Sequence, residues 1–352
     1  MSDTRREKEE LRQKRAEIDR EILRLLGERA GLSRAFAAAH PGQPSTLPST
    51  EKESLDALAA ATSELPAEAV RGIFREVHAA CRALEARPRA LSVGAEGGAA
   101  GAVARRQFGP LASHASAQTV EQAIVELGAR RADFAVVPYE TAEEGPLLST
   151  LLPLRKSELL IVSVQELGAS LSLLSATGAR GDVEKVAVTP RDRGAAQRVL
   201  AELAPRAVLF DVASPVEACR MAKADKTVAA VALEPVGRDH DLSTVAPLAG
   251  RDPRARYAVV TARPASRTGH DATVILFSVS DEPGALFEVL KDFADRAVNL
   301  RKIHSWSVPS EDWGYLFFLE VSGHVTDRAL VSVLEGMKAR TKTLRVVGSF
   351  PV

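Results

Sequence analysis

Residues 133–141 read DFAVVPYET, and the first five of them predict a β-strand because branched and aromatic side chains favour strands. A helical pattern over Gln118–Ala129 precedes this strand. The same alternation of short apolar runs with helical stretches extends from residue 90 to residue 261. It predicts an α/β domain with mostly parallel strands. The expected strands are Ala90–Val93, Asp133–Val137, Leu159–Val164, Lys185–Val188, Ala207–Asp211, Val228–Leu233 and Arg256–Thr261.

The part of the chain before this domain has a different pattern of apolar residues. Residues 5–39 carry apolar side chains in steps of three and four, which predicts one long helix with a coiled-coil-like seam. The seam positions are Leu11, Arg15, Ile18, Ile22, Leu25, Arg29, Leu32 and Phe36. Two further helices are expected, from Thr50 to about Glu64 and from Pro66 to before Pro88. A lone helix of this length cannot bury its seam, so pairing with a second copy is expected.

The part after the α/β domain follows a third pattern. A polar linker over residues 263–271 leads into strand, helix, strand, strand, helix and strand. These elements are expected at Ala272–Ser280, Gly284–Arg296, Leu300–Val308, Gly314–Ser322, Asp327–Arg340 and Leu344–Val347. This order is that of a ferredoxin-like α+β unit. We therefore predict three domains, with boundaries at 1–88, 89–265 and 270–352.

Composition excludes several classes of protein. The chain has 352 residues, 45% hydrophobic and 26% charged, which is typical of a globular protein. Its 46 basic and 46 acidic residues balance, so no bulk charge favours nucleic acid or a membrane surface. Cys81 and Cys219 stand alone, which predicts buried thiols and no metal site. The first ten residues mix both charges without an apolar run, so we expect a cytoplasmic protein.

Three sets of motifs resemble one family. Residues 133–140, followed by Gly145, resemble the DxxVVPIEN…G element of prephenate dehydratases. Gly284-Ala285-Leu286 and the later Asn299-Leu300 resemble an ACT regulatory domain. Leu11-Arg12, Glu28-Arg29 and the helix ending at Glu85 resemble an all-helical chorismate mutase. The whole chain thus resembles the bifunctional chorismate mutase–prephenate dehydratase family of phenylalanine biosynthesis, whose dehydratase domain is two-lobed.

The resemblance implies a mutase site in the helical domain. Chorismate is a dicarboxylate that rearranges within itself, so cations and hydrogen-bond donors suffice. Arg12 and Arg29 match the carboxylate-binding arginines, one of which comes from the partner chain in the family. Lys52 stands where the family has an arginine, Glu53 matches the glutamate at the substrate hydroxyl, and Glu85 lies at the ether oxygen. On the residues alone, Arg12 also fits a solvated helix face and Glu53 a charge in a first helical turn.

The dehydratase motifs are less complete. The family's TRF is Ala255-Arg256-Tyr257, which keeps an arginine for the substrate carboxylate but loses a hydroxyl. The Gly94–Gly101 loop lacks the family's hydroxyls and histidine. Further matches imply substrate contacts from Glu140, Thr141, Thr189 and Glu234, of which Thr141 replaces an asparagine. Glu140 also fits a structural cap and Glu234 a helix N-terminal charge. Since dehydration needs a proton donor, we expect weak or absent dehydratase activity, unless a residue such as Thr189 has become the donor.

The regulatory motifs imply an amino-acid effector bound by Gly284, Ala285, Leu286, Asn299 and Leu300. Trp306 replaces an arginine there and also fits an interface aromatic.

Two hypotheses for the function remain open. One is a homodimeric enzyme that converts chorismate through prephenate to phenylpyruvate without metal or other cofactor. The other is a catalytically silent or mutase-only paralogue that acts as a dimeric ligand-binding or regulatory protein.

Overall fold

A computed structural model describes residues 3–40, 48–167, 171–248, 254–308 and 314–352. The helical domain consists of α1 (Asp3–Ala39), α2 (Pro48–Ala60) and α3 (Ala67–Glu85). Helix α3 packs against both α1 and α2. The predicted long, short and long helices are confirmed, while residues 41–47 of the predicted loop lie outside the described residues.

The seam of α1 is exposed in the single chain. Its exposed apolar members are Leu11, Ile18, Ile22, Leu25 and Leu32. From Glu7 to Ala39 of this helix, the buried position is Ser33, which faces α3. Arg29, which also lies on the seam, is half-buried in the single chain. Within the described residues, one short flank of α1 contacts α3, and most of the remaining seam side chains are exposed.

A buried ion pair anchors the helical domain to the next one. Arg82 of α3 is 2% exposed, and its Nη1 pairs with the carboxylate of Glu51 on α2. Its Nη2 donates to the backbone oxygen of Gln107, 2.8 Å away. Burial lowers the pKa of Arg82 to about 10. Removal of either charge would leave the other buried without its partner, which typically costs about 3–5 kcal/mol.

The α/β domain has eleven strands and six α-helices in its described residues. The strands are β1 (Arg89–Val93), β2 (Ser113–Ala117), β3 (Phe134–Thr141), β4 (Gly145–Pro146), β5 (Leu160–Leu167), β6 (Leu171–Ser175), β7 (Lys185–Val188), β8 (Val208–Asp211), β9 (Val228–Leu233), β10 (Ser243–Pro247) and β11 (Ala255–Thr261). The helices are α4 (Ala99–Phe108), α5 (Val120–Gly128), α6 (Leu148–Arg155), α7 (Arg193–Leu203), α8 (Pro215–Ala224) and α9 (Glu234–Asp239). A 3₁₀ turn spans Arg180–Asp182.

These strands form two sheets, one in each lobe. The first lobe has the order β2-β1-β3-β11-β5 with β4 on β3, and the second has β10-β6-β9-β7-β8. The expectation of mostly parallel strands was wrong, because both sheets are mixed. The chain returns from the second lobe and inserts β11 antiparallel between β3 and β5. This return places the start of β11 beside the end of β3.

The third domain has the predicted βαββαβ order. Its elements are β12 (Asp271–Ser278), α10 (Ala285–Asp295), β13 (Leu300–Ser307), β14 (Tyr315–Ser322), α11 (Arg328–Lys338) and β15 (Thr343–Pro351). The antiparallel sheet has the order β13-β14-β12-β15. The ferredoxin-like fold is therefore confirmed.

The first lobe and the ferredoxin-like domain share one apolar core. Tyr139 and Ile161 of the lobe pack in the same buried cluster as Val274 and Phe318 of the third domain. Gly348 of β15 has a positive φ of 151°, and a Cβ there would collide with the backbone of Ile161. Only glycine fits this close approach, which fixes how the two sheets dock.

Three further observations concern the described residues as a whole. Cys81 and Cys219 are both buried and free, as expected, and burial raises the pKa of Cys219 to about 11. Across the described ranges, no helix combines the length and the apolar character needed to span a membrane. Within those same ranges, no cluster of His, Cys, Asp and Glu side chains could hold a metal ion.

Candidate active sites

In the helical domain, α1 and α3 bring two predicted mutase residues into one groove. Arg29 directs its Nη1 at the backbone oxygen of Val77, 3.5 Å away. One turn further along α1, Ser33 donates a 2.8 Å hydrogen bond to the carboxylate of Glu85. The pKa of His78 on α3 is lowered, mainly by burial and to a smaller extent by the charge of Arg29. This groove therefore brings a cation, Arg29, close to Glu85, and the cation is the group that can attract a dianionic substrate.

The other predicted mutase residues lie away from this groove. Arg12 is exposed and pairs with Glu9 at 3.5 Å. It precedes Arg29 by 17 residues on the same helix, which separates the two by about 25 Å. One small substrate cannot contact both arginines of a single chain. Lys52 and Glu53 are exposed on α2, where the buried acid is Glu51, a residue the sequence analysis did not select.

In the α/β domain, β3 and β11 bring together Glu140, Thr141 and Arg256. The Nη1 atom of Arg256 lies 2.6 Å from Oε2 of Glu140 on the neighbouring strand. These residues line a cavity of about 190 Å³. Its remaining lining residues are Ala142, Glu166 and Arg254. The structure thus places three predicted dehydratase residues at one edge of the first lobe.

Residues of the ferredoxin-like domain also reach this place, which the sequence analysis missed. Nη1 of Arg256 lies 3.0 Å from Oε2 of Glu320, and Nζ of Lys302 lies 2.5 Å from Oε2 of Glu140. Burial alone would raise the pKa of Glu140, but hydrogen bonds from Lys302 and Arg256 outweigh it and hold the pKa below its usual value. Glu140 is therefore an ionised partner of two cations.

Thr141 lies directly opposite Ala255 in the pairing of β3 with β11. Directly paired residues point to the same face, with Cβ atoms about 5 Å apart. Thr141 Oγ1 accepts a hydrogen bond from the backbone N–H of Glu144 at 3.1 Å. In this bond the Thr141 hydroxyl is the acceptor, so its proton is not used. Its side chain also lines a larger cavity of about 760 Å³. A hydroxyl is thus present beside the position where the TRF motif has lost one.

Thr189 and Glu234 lie on the second lobe. The Thr189 hydroxyl donates to Asp192 Oδ2 at 2.7 Å, so its proton is already engaged. Glu234 is exposed and lies 3.4 Å from the hydroxyls of Ser172 and Thr244. Neither contacts the cluster at Glu140 in the described hydrogen bonds. The second lobe instead contributes Arg191 to the 760 Å³ cavity, a cation that the motif comparison passed over.

The Gly94–Gly101 loop marks a contact between the lobes. It connects β1 to α4, and Gly97 has a positive φ of 75°. A Cβ at Gly97 would lie 2.7 Å from Val216 Cγ2 of the second lobe. The loop also borders a cavity of about 480 Å³ that includes Arg105 and Ser214. It can present backbone N–H groups to an anion, although its side chains bring no donor.

The predicted effector residues surround the start of α10 and the start of β13. Gly284 precedes α10 with a φ of 88°, and the space beside it is open. Ala285 and Leu286 form the first turn of that helix, and Leu286 packs on the domain core. Asn299 accepts a backbone hydrogen bond from Ser322 at 2.9 Å. Leu300 then begins β13, the strand that carries Lys302.

Three family models match the chain in order along its length. Chorismate mutase type II matches residues 11–86, prephenate dehydratase matches residues 92–264, and the ACT domain matches residues 273–337. A bifunctional chorismate mutase/prephenate dehydratase of Aquifex aeolicus is 33% identical over 97% of this chain and 98% of its own. The chain belongs to the bifunctional chorismate mutase/prephenate dehydratase family. The predicted family, its place in phenylalanine biosynthesis and its fold class are thereby confirmed.

Solved structures agree with this family assignment. A prephenate dehydratase of Arthrobacter aurescens, solved with L-Phe, has a TM-score of 0.62 at 25% identity and covers 75% of this chain and 89% of its own. A structure described as a quorum-quenching acylase has a TM-score of 0.63 at 22% identity over 75% of this chain and 98% of its own, which shows a shared fold alone. These findings do not favour the reading of the chain as a silent paralogue.

Proposed function

We propose that this chain rearranges chorismate to prephenate in its helical domain and dehydrates prephenate in its α/β domain. The observation that carries the proposal is the end-to-end match to a bifunctional relative of the same domain order. The α1–α3 groove and the cavity at Thr141 are two separate sites, one in each domain. Neither reaction requires a redox or Lewis-acid cofactor, so we assign none.

For the mutase, we propose a site shared by two chains. Arg29 and Glu85 of one chain lie in the groove, and Arg12 comes from the α1 helix of a second copy. The 25 Å separation of the arginines along α1 supports this arrangement. During the rearrangement an ether C–O bond breaks as a C–C bond forms. Arg29 offsets the charge that develops in this step, and Lys52 and Glu53 of α2 complete the site on dimerisation.

For the dehydratase, we propose that Thr141 donates the proton. The C–C bond to the ring carboxylate breaks and releases carbon dioxide, its electron pair enters the ring, and the C–O bond to the ring hydroxyl breaks. The leaving oxygen takes the Thr141 proton and departs as water, and solvent returns a proton to Thr141. Arg191 and Lys156, which line the same cavity, are placed to bind the substrate carboxylates. Arg256 lines the adjoining smaller cavity, where Glu140 and Glu320 pair with its guanidinium.

Separate assays test the two halves. The purified chain should form prephenate from chorismate, and should form phenylpyruvate from prephenate above the non-enzymatic rate. Turnover of chorismate alone would support a mutase-only protein. Turnover of neither substrate would overturn the proposal and leave a binding or regulatory function.

We further propose the context in which these sites work. The protein is a cytoplasmic homodimer with domain boundaries near 1–88, 89–265 and 270–352. An amino acid binds its ACT domain at Gly284–Leu286 and Asn299–Leu300. The Arthrobacter aurescens relative, solved with L-Phe, makes phenylalanine the first effector to test. Calorimetric titration with phenylalanine, and with tyrosine for comparison, measures this directly.

A further inference from the structure

Five charged side chains and one phenol join the first lobe to the ferredoxin-like domain. From the lobe come Tyr139, Glu140 and Arg256, and from the other domain come Arg301, Lys302 and Glu320. The cluster therefore brings three cations and two carboxylates into one interface. The cluster lies next to Thr141. Glu140 of the cluster precedes Thr141 in the chain, and Arg256 of the cluster lines the 190 Å³ cavity that Thr141 also lines.

Glu320 of β14 is the most deeply buried charge in this cluster, at 1% exposure. Its carboxylate accepts from Arg256 Nη1 at 3.0 Å, from the Tyr139 hydroxyl at 3.1 Å and from Arg301 Nε at 3.3 Å. Two of these three donors belong to the dehydratase lobe. Because a buried carboxylate is stable only with such donors, Glu320 fixes the guanidinium of Arg256.

Lys302 of β13 holds Glu140, the other charged residue that the first lobe contributes through β3. Its ammonium contacts both carboxylate oxygens of Glu140, and Oε2 lies 2.5 Å away. Alternate residues of β13 face the lobe, since Lys302, His304 and Trp306 are half-buried while the residues between them are exposed. The His304 ring lies against Gly145, where a Cβ would be 3.8 Å from it. Lys302, His304 and Trp306 of this strand therefore face the dehydratase lobe.

We propose that Lys302 and Glu320 are positioning residues of the dehydratase site, so that the ferredoxin-like domain completes a site whose substrate lies in the α/β domain. This inference rests on the proposed dehydratase function. Lys302 holds Glu140, and Glu320 holds Arg256. Together these two contacts fix the position of the end of β3, which carries Thr141. A movement of β13 and β14 against the lobe would shift all three.

The test uses Lys302→Met and Glu320→Gln in the full-length chain. Each variant removes a charge while keeping most of the side-chain shape. We expect the kcat for prephenate to fall by about tenfold to a hundredfold, the effect of a small misplacement of reacting groups. The rate with chorismate should not change, because the mutase groove is in another domain. Lys302→Arg keeps the cation and should recover much of the loss.

A matched control breaks a different contact at the same interface. Thr343 of β15 accepts a 2.9 Å hydrogen bond from Arg155 of the lobe, far along the sheet from Glu140. Thr343→Val should leave the prephenate kcat unchanged. An equal loss in Thr343→Val and Glu320→Gln would mean that any loosening of the interface slows the enzyme, and would overturn the positioning role.

The two proposals fail in different ways. If the wild-type chain turns over prephenate and both charge variants keep its kcat, the positioning role is wrong and the dehydratase function stands. If the wild-type chain does not turn over prephenate, its affinity for prephenate, measured by calorimetry, becomes the readout. Weaker binding in both charge variants than in Thr343→Val would then support the positioning role, and unchanged or absent binding would overturn it.

Discussion

Thr141 and Ala255 are direct partners across β3 and β11 at the edge of the first lobe. In the TRF motif the first position of β11 carries a hydroxyl, and in this chain Ala255 carries a methyl group there. The neighbouring strand β3 carries the hydroxyl of Thr141 at the paired position. A proton donor is defined by where its proton lies and not by which strand supplies it. The register therefore offers a physical reason why dehydration can persist despite the altered motif.

The first prediction tests this hydroxyl. Thr141→Val keeps the branched shape and removes the proton, so the kcat for prephenate should fall by about 10²–10⁴, the usual contribution of a proton donor. Thr141→Ser should keep most of the activity. A normal rate in Thr141→Val together with a large loss in Thr189→Val would place the donor on the second lobe instead.

The second prediction concerns Arg29 in the mutase groove. Arg29→Ala should lose about 2–4 kcal/mol of transition-state stabilisation if the guanidinium acts as an oxyanion donor does. The measurement is kcat/KM for chorismate, and the prephenate rate of the same sample shows that the chain is folded. Undiminished chorismate turnover in this variant would place the mutase site elsewhere.

The third prediction tests whether two chains share the mutase site. Arg12→Ala and Arg29→Ala should each be inactive as homodimers. Co-expression of the two variants with different tags, followed by isolation of the mixed dimer, should restore one intact site per dimer. Mixed dimers that remain inactive would overturn the shared site, and an active Arg12→Ala homodimer would place Arg12 on a solvated surface.

Local sequence patterns predicted the elements with clear boundaries. Helix α8 begins at Pro215, a residue that suits the first helical position, and Ser214 caps it by accepting from the N–H of Glu217. Strand β9 was predicted at Val228–Leu233 because this run is apolar throughout, and in the structure all six of its residues are buried. Such elements carry their own start and stop signals.

Other elements lack those signals. Strand β2, with the sequence SHASA, is an edge strand without an apolar run, so no pattern marked it. Helix α6 contains Pro153, which argues against a helix until its packing is known. In the candidate dehydratase site, motifs found Glu140 and Arg256, but not their partners. Lys302 is 162 residues from Glu140, and only the docking of two sheets brings them together.

The fourth prediction concerns the exposed seam of α1. Leu25 lies on the seam and is 50% exposed, while Leu23 is 69% exposed and lies off it. Leu25→Glu should weaken the dimer and abolish mutase activity, because it places a charge in the expected helix pairing. Leu23→Glu is the matched control and should change neither. Light scattering at micromolar concentration measures the assembly, and a monomeric wild-type chain would contradict the expected dimer.

The fifth prediction concerns the pH dependence of the Glu140 interface. Lys302 and Arg256 hold the pKa of Glu140 below its unfolded value of 4.5. The stabilisation from ionised Glu140 is therefore fully present above pH 4.5 and is lost as the pH falls through the lower folded pKa. Urea-unfolding midpoints of the wild-type chain and Glu140→Gln should differ most at neutral pH and converge under acid conditions. Glu166 lines the same cavity but is exposed, so Glu166→Gln should follow the wild type at every pH. A constant gap between the wild type and Glu140→Gln down to acid pH would show that the Glu140 charge does not stabilise this interface.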